Sequence, residues 1–149
     1  MIKKKIFLIL LFFLQSCGYE AMYLKKIDFK EKIKSFETLG DKKINRNIIS
    51  SLNLKNQNKT IGYKLIINSS KTLQIISKDK AGNSSVYKTL IVVKVSLIDN
   101  GETLKEKIFN EQFTYNNIKN KFSLSQYQKE IEINLINKII DEVIIFLTI

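Results

Sequence analysis

The only cysteine of this 149-residue chain, Cys17, directly follows a short hydrophobic run near the amino terminus. The segment Leu14-Gln15-Ser16-Cys17 has an aliphatic residue three positions before the cysteine and a small residue immediately before it. This pattern is typical of a bacterial lipobox, in which the thiol is diacylglycerated and the cysteine amine is acylated after cleavage. Lysines 3–5 and the apolar residues 6–14 precede it, as in a secretory signal peptide whose apolar run is too short to span a bilayer.

The lipobox predicts both the compartment and the attachment of the mature protein. We expect residues 1–16 to be the signal peptide, residues 17–26 a lipidated tether and residues 27–149 a single domain. Two or more acyl chains on Cys17 would hold the protein stably on a membrane outside the cytoplasm. Gly18 favours the outer membrane, because bacteria that sort lipoproteins by this residue retain those with aspartate at the inner membrane. The alternative is an ordinary cysteine at the end of an uncleaved anchor or export signal.

The composition excludes several kinds of catalytic site. The chain has no histidine and no cysteine besides Cys17. A histidine acid–base pair, a His or Cys metal site, a Ser-His triad and a disulfide framework are therefore impossible within one chain. The acidic residues are scattered, and no pair stands out at a spacing that argues for glycoside chemistry. We expect no catalytic residues, no metal, no cofactor and no enzymatic activity, with a carboxylate-based hydrolase as the weakest alternative.

The chain is strongly basic, with 25 Lys and Arg against 14 Asp and Glu and a formal net charge of +11. Three of the lysines belong to the predicted signal peptide. A basic protein outside the cytoplasm suggests an anionic partner, such as lipid headgroups, lipopolysaccharide or an acidic protein. The abundance of Lys, Ile and Asn without proline is also typical of an AT-rich genome, so we expect most lysines to be solvated surface.

The first part of the domain is predicted to form a strand and a short helix. Apolar residues partly alternate with charged ones from Ile27 to about Phe36, which indicates a strand, and Gly40 ends it. Asp41 is placed to cap a helix of three to four turns, because its carboxylate can accept from the free amides of the first turn. The apolar stripe of that helix has four-residue spacing and consists of Ile44, Ile48 and Leu52.

Three strands joined by turns are predicted next. The alternation from Tyr63 to Ile76 indicates either one long strand with a bulge or two collinear pieces. From Tyr87 to Leu97 every second residue is apolar or Thr, so one face should be core and the other partly wet. Asp99-Asn100-Gly101 predicts a tight hairpin, because Asn and Gly tolerate positive φ. The return strand, residues 102–115, changes parity at Ile108-Phe109, where we expect a bulge.

The last element is predicted to be a long amphipathic helix. Ser123-Leu124-Ser125-Gln126 indicates a capping box, after which the helix would run for about 25 residues. We interpret its apolar stripe as packing against the sheet, and the widening of the stripe after Leu135 favours a partner surface as the alternative. The stripe consists of Leu124, Tyr127, Ile131, Leu135, Ile139, Val143 and Phe146.

These elements predict an α+β fold. It would be a two-layer sandwich in which a mostly antiparallel sheet of about four strands packs against two helices, in the order strand–helix–strand–strand–strand–helix. The last three strands should form a meander, whereas the first strand could pair parallel or antiparallel. With both helices on one face, the other face of the sheet and its edges would need a cover, which suits a protein that lives against a partner.

The start of the mature chain, Cys17-Gly18-Tyr19-Glu20-Ala21-Met22-Tyr23, resembles the lipidated start Cys-Gly-Phe-x-Pro-Leu-Tyr of the LptE-like family of lipopolysaccharide-assembly lipoproteins. Tyr19 stands where that family has Phe, Met22 where it has Leu, and Ala21 replaces the Pro. The order of the elements and the acidic, aliphatic helix from Gln128 onwards are also similar to the family. The resemblance extends over nearly the whole mature chain.

The resemblance implies an outer-membrane lipoprotein that faces the periplasm and is not an enzyme. Such proteins fill the lumen of a large LptD-like β-barrel as a plug, help the barrel to fold and bind lipopolysaccharide on its way to the outer leaflet. No nucleic acid is expected as a partner. Basic side chains would meet the lipid phosphates, and the alternative is that they are solvated charges. The candidates lie in two predicted loops: Lys78, Lys80, Lys119 and Lys121.

A second function remains open at this stage. The chain could be a periplasm-facing lipoprotein that serves as an accessory or binding subunit of another envelope transport system. A small inhibitor-like domain belongs to the same class, but such secreted inhibitors usually rely on disulfides, which this chain cannot form within itself.

Overall fold

The computed structural model describes residue 29, residues 31–55 and residues 60–148. Four strands form one sheet in the order β1-β2-β3-β4, with β1 parallel to β2 and the other two pairs antiparallel. The predicted α+β sandwich is confirmed, and the first strand takes the parallel pairing. The lipobox at Cys17 and the predicted tether lie outside the described residues. The elements are β1 (Ile33–Gly40), α1 (Lys42–Ser51), β2 (Tyr63–Lys78), β3 (Ser84–Asp99), β4 (Glu102–Asn116) and α2 (Lys121–Thr148).

The core lies between the helices and one face of the sheet. α1 packs on β1 and β2, and α2 packs on β3 and β4. The strand residues that reach the core alternate along each strand, because successive side chains point to opposite faces. The alternation predicted for β3 is confirmed, since Ile91, Val93 and Val95 are completely buried. The opposite face has no helix over it in the described part of the chain; we call it the open face.

Local signals in the sequence account for two of the element boundaries. Asp41 caps α1 as predicted, because its Oδ1 accepts from the backbone N–H groups of Lys43 at 2.9 Å and Ile44 at 3.1 Å. Asn100 and Gly101 connect β3 to β4 with φ angles of 47° and 92°, which confirms the predicted tight hairpin. The Asn100-Gly101 turn joins two strands that pair with each other directly, from Asp99 opposite Glu102 onward.

The predicted bulge in the return strand was placed wrongly. The register of β4 against β3 runs without a break through Ile108, opposite Lys94, and Phe109, opposite Val93. The register shifts near the hairpin instead, where Leu104 is the additional residue between Thr103 and Lys105. The prediction assumed that both Ile108 and Phe109 are core residues, but Ile108 lies on the open face and is 57% exposed.

Two helical boundaries also differ from the prediction. α2 begins at Lys121 and is 28 residues long, and Asn120, rather than Ser123, caps it: the Asn120 Oδ1 accepts from the N–H of Ser123 at 3.0 Å. At the start of the domain, Phe29 and residues 31–32 are helical, and the strand begins only at Ile33. Phe29 and Ile33, four residues apart, both reach the core, which suits a helical turn better than an extended chain.

Candidate binding surface

The turn between β2 and β3 is organised by one carboxylate, Asp79. Its Oδ1 accepts from the backbone N–H of Asn83 at 2.8 Å and of Ala81 at 2.9 Å, and its Oδ2 accepts from the Asn83 side chain at 3.2 Å. These hydrogen bonds hold the pKa of Asp79 below its ordinary value, and those from Asn83 have the largest effect. Lys78 and Lys80, which flank Asp79, are therefore carried on an ordered turn and are both exposed.

The loop between β4 and α2 lies beside the same turn. The Asn117 backbone N–H donates to the Ser85 carbonyl at 2.8 Å, and its side-chain amide donates to the Ser84 carbonyl at 2.8 Å. Ser84 in turn pairs with Lys78 across the β2–β3 ladder. The four lysines predicted from the sequence are thus brought to one end of the sheet, and all are exposed. We call this the basic end: Lys78, Lys80, Lys119 and Lys121.

Large apolar side chains stand exposed beside these lysines. Leu73, Ile75 and Ile76 on β2 are about half exposed, at 52%, 53% and 52%. Phe113 on β4 is 45% exposed and Phe122, at the start of α2, is 70% exposed. The alternation of β2 predicts that these three residues lie in a strand, but it does not predict their exposure. A surface that combines apolar side chains with cations can bind a molecule that has an apolar part and an anionic part.

A buried carboxylate links three elements next to the basic end. Glu132 of α2 is only 6% exposed, and its two oxygens lie 2.9 Å from Lys71 Nζ of β2 and 3.0 Å from Lys43 Nζ of α1. Burial alone would raise the pKa of Glu132, but the hydrogen bond from Lys71 and the ion pair with Lys43 outweigh this and hold the pKa below its ordinary value. Glu132 thereby connects both helices to β2 at Lys71, just beyond the last residue of β2 that pairs with β1.

Sequence reasoning missed Glu132, because a charged residue on a helix usually indicates the solvated face. One signal was available, since Glu132 precedes the buried Ile136 by four residues and so lies on the same side of α2. The cleft next to the cluster has both apolar and polar walls, and its further lining residues are Leu73, Thr89, Tyr115, Ser125, Gln128 and Lys129.

The opposite end of the sheet is where the chain enters the domain. Phe29 and Ile33 are buried there, next to the carboxyl end of α2. Lys105 donates from Nζ to the Phe146 carbonyl at 2.6 Å and lies 4.7 Å from the centroid of the Phe146 ring, which places a cation where a helix C-terminus favours one. The 16 residues of β2 separate this end from the basic end, a span of about 50 Å at roughly 3.3 Å per residue.

Within the ranges that the structure describes, no three His, Cys, Asp or Glu side chains are grouped so that they could hold a metal ion. None of the described helices combines the length and the hydropathy needed to cross a membrane.

No protein-family model and no curated protein sequence matches this chain. Solved structures do match it. Rare lipoprotein B from Shewanella oneidensis is 12% identical, with a TM-score of 0.56, over 73% of this chain and 89% of that chain. A minor lipoprotein from Acinetobacter baumannii is 12% identical, with a TM-score of 0.58, over 77% and 90%. Lipoprotein B from Nitrosomonas europaea is 9% identical, with a TM-score of 0.58, over 74% and 79%.

These similarities concern most of each compared chain rather than a fragment of it. At 9% to 12% identity they establish the fold and leave the roles of individual residues open. The described domain therefore has the fold of these bacterial lipoproteins.

Proposed function

We propose that this protein is an LptE-like lipoprotein of the outer membrane that faces the periplasm. In this role it is the plug and assembly factor of an LptD-like β-barrel, and it assists the insertion of lipopolysaccharide into the outer leaflet. It is anchored through acyl chains on Cys17, has no cofactor and catalyses no reaction. The lipobox at Cys17 and the fold shared with bacterial lipoproteins support the anchored envelope location.

The observation that carries the proposal is the composition of the basic end. Four exposed lysines occupy two ordered loops, and half-exposed aliphatic side chains of β2 lie beside them. Lipopolysaccharide offers the matching chemistry, because its lipid part carries both acyl chains and phosphates. Each lysine acts as a compact point charge toward a phosphate, and the neighbouring Leu73 and Ile75 offer apolar surface to acyl groups.

The position of the basic end within the domain also supports the proposal. It lies at the far end of the sheet from Phe29, where the amino-terminal part of the chain enters. An anchor at Cys17 and a lipid-binding surface at the basic end would therefore act at two separate places. A rigid two-layer body between them could fill the lumen of a barrel while its basic end contacts the lipid.

The first test is the identity of the partner. The tagged, lipidated protein would be purified from detergent-solubilised outer membrane and the co-purifying proteins identified by mass spectrometry. We expect one large β-barrel in near-equal amount. Recovery of inner-membrane transporter subunits, or of no partner, would contradict the plug role and favour an accessory subunit of another envelope transport system.

The second test concerns the lysines. We expect the double variant Lys80→Gln/Lys119→Gln to bind purified lipopolysaccharide about tenfold more weakly, as the loss of two exposed charge contacts of ~0.7 kcal/mol each would produce. The control, Lys55→Gln/Lys138→Gln, removes the same charge from exposed positions away from the basic end. Equal weakening in both variants would show attraction by net charge alone and would contradict the assignment of the basic end.

A further inference from the structure

Among the described residues, no strand lies next to the outer half of β2 on its β1 side. β1 pairs with β2 only as far as Gly40, opposite Ser69, and the chain then turns into α1. Gly40 has a φ of +84°, and a Cβ at this position would lie 1.9 Å from the Ser69 carbonyl oxygen, so the turn requires glycine. Beyond it, the β1 side of Ser70–Lys78 is unpaired among the residues that the structure describes. We call this side the free edge.

The hydrogen bond at the turn shows which backbone groups point to the free edge. The N–H of Asp41 donates to the Ser69 carbonyl at 2.9 Å, so the Ser69 carbonyl points to the β1 side. Backbone groups alternate in direction along a strand, and therefore the N–H and C=O groups of Lys71, Leu73 and Ile75 also point to that side. Those of Thr72 and Gln74 point to β3. Register shifts after Ile75 end the regular part of the edge.

The usual protection of an exposed edge is weak here. Edge strands are commonly protected by proline, by bulges or by a lysine held over the edge. The chain has no proline, the irregularity comes only after Ile75, and the Lys71 amine is held by Glu132 rather than over the edge. Leu73 and Ile75, at 52% and 53% exposure, project from the strand on the side of the helices. The middle of the free edge is thus apolar and unpaired.

The two limits of the free edge are positively charged. At the α1 limit the three lysines Lys42, Lys43 and Lys71 outnumber the two carboxylates there, Asp41 at the helix cap and Glu132, by one charge. At the other limit Lys78 and Lys80 outnumber the Asp79 carboxylate between them by one charge. An occupant that matches this surface has apolar residues in its centre and carboxylates at both ends.

We propose that the free edge of β2 binds an extended segment of a partner protein. The segment forms a fifth strand next to β2, in line with β1 and beyond its end at Gly40. The segment has an apolar centre and acidic ends, and its backbone pairs with Lys71, Leu73 and Ile75. Main-chain hydrogen bonds would provide affinity, and the flanking side chains would provide specificity. The proposal does not require a barrel partner or lipopolysaccharide. Because Leu73, Ile75, Lys78 and Lys80 also belong to the surface proposed for lipopolysaccharide, the segment and the lipid would compete for it.

The test uses the full-length chain, purified in a neutral detergent, and a synthetic peptide of about eight residues, Asp-Glu-Val-Thr-Val-Ile-Glu-Asp. Amide hydrogen exchange is followed by NMR with and without the peptide. We expect the peptide to slow exchange at Lys71, Leu73 and Ile75, whereas Thr72 and Gln74 are already protected by β3. A peptide with lysines in place of its acidic residues and one with a central proline serve as controls, and neither should produce this alternating protection.

Two variants separate backbone pairing from side-chain contact. Leu73→Ala and Leu73→Pro both remove the leucine side chain, but only Leu73→Pro also removes an N–H that points to the free edge. We expect the peptide to bind Leu73→Pro about tenfold more weakly than Leu73→Ala. If Leu73→Pro does not fold, the hydrogen-exchange pattern of the unmodified chain tests the proposal by itself.

Each other outcome would overturn the proposal. Peptide binding without alternating protection would mean that lysines attract the peptide and no strand is added. Protection of the same amides without peptide, increasing with protein concentration, would identify a second copy of the chain as the occupant. Protection produced by anionic lipid vesicles and not by the peptide would assign the surface to lipid.

Discussion

The two halves of β2 share a sequence pattern and differ in what covers them. In the half next to β1, Leu65 and Ile67 are completely buried beneath α1, and in the outer half Leu73 and Ile75 are about half exposed. Both halves alternate in the same way, so alternation determines the face on which a side chain lies. Burial depends on whether a helix covers that face and whether a strand lies alongside. Both depend on residues elsewhere in the chain.

The covered half also explains where the stability of the domain originates. Its residues belong to one continuous core that receives side chains from every strand and both helices, whereas the outer half is held chiefly by pairing with β3 and by the Glu132 cluster. Substitutions in the two halves should therefore differ in effect by several kcal/mol.

The largest effect is expected in the covered core. Phe109 is 1% exposed and its ring meets Phe146 edge-to-face at 5.7 Å between centroids. Phe109→Ala should lower the free energy of unfolding by about 3–5 kcal/mol, because it leaves a cavity and removes an aromatic contact. Urea denaturation measures the change. Ile108→Ala, which alters the exposed neighbour on the same strand, is the control, and an equal loss in both variants would contradict the core assignment.

An intermediate effect is expected at the junction of the two halves. Glu132→Gln should lower stability near neutral pH by about 1–2 kcal/mol, a modest amount because Lys43 and Lys71 remain partly hydrated. The lowered pKa of Glu132 means that its contribution is present above its ordinary value of 4.5 and is lost as pH falls through the lower pKa of the folded state. Glu132→Gln should therefore lose less stability on acidification than the unmodified protein.

Denaturation series from about pH 7 to about pH 3 measure this difference. Glu111→Gln is the matched control, because the Glu111 carboxylate lies 3.7 Å from a single, largely exposed Lys138 amine. Parallel pH curves for the unmodified protein and Glu132→Gln would show that the buried carboxylate does not fix β2 to the helices.

The smallest effect is expected in the outer half of β2. Ile75→Ser should change the free energy of unfolding by no more than about 0.5 kcal/mol, because the side chain is already half exposed. The same denaturation assay applies, with Ile67→Ser as its counterpart in the covered half, where a buried hydroxyl without a partner should cost several kcal/mol. A large loss for Ile75→Ser would mean that the outer half is covered within the chain itself.

Local signals were sufficient to predict much of the fold from the sequence. The β3 alternation, the Asp41 cap and the Asn100-Gly101 turn depend on neighbouring residues, and all three are found in the structure. The misplaced bulge had a different origin, because an isoleucine was assumed to be buried. Ile108 is exposed because no helix of the described chain covers the open face. Nothing near Ile108 in the sequence indicates that this face is uncovered.

The candidate surface was predicted only in part, for a similar reason. Lys78, Lys80, Lys119 and Lys121 could be chosen because they lie in turns, and the topology that brings those turns to one end of the sheet followed from the strand order. The Glu132 cluster and the free edge could not be predicted. Both depend on where β1 ends relative to β2. That point is fixed by the contact of Gly40 with Ser69, two residues that are separated in the sequence by the whole of α1.

The separation of β1 from β2 in the sequence has a consequence for folding. β2, β3 and β4 can pair from two tight turns outward, starting from neighbours such as Asp99 and Glu102. β1 can join only after the intervening helix and loop have closed, which carries an entropic cost and makes the step slow. During that interval the entire β2 edge, from Tyr63 onward, is open to wrong partners. A newly synthesised chain would therefore be most prone to aggregate before β1 docks, and early contact with a partner would shorten that period.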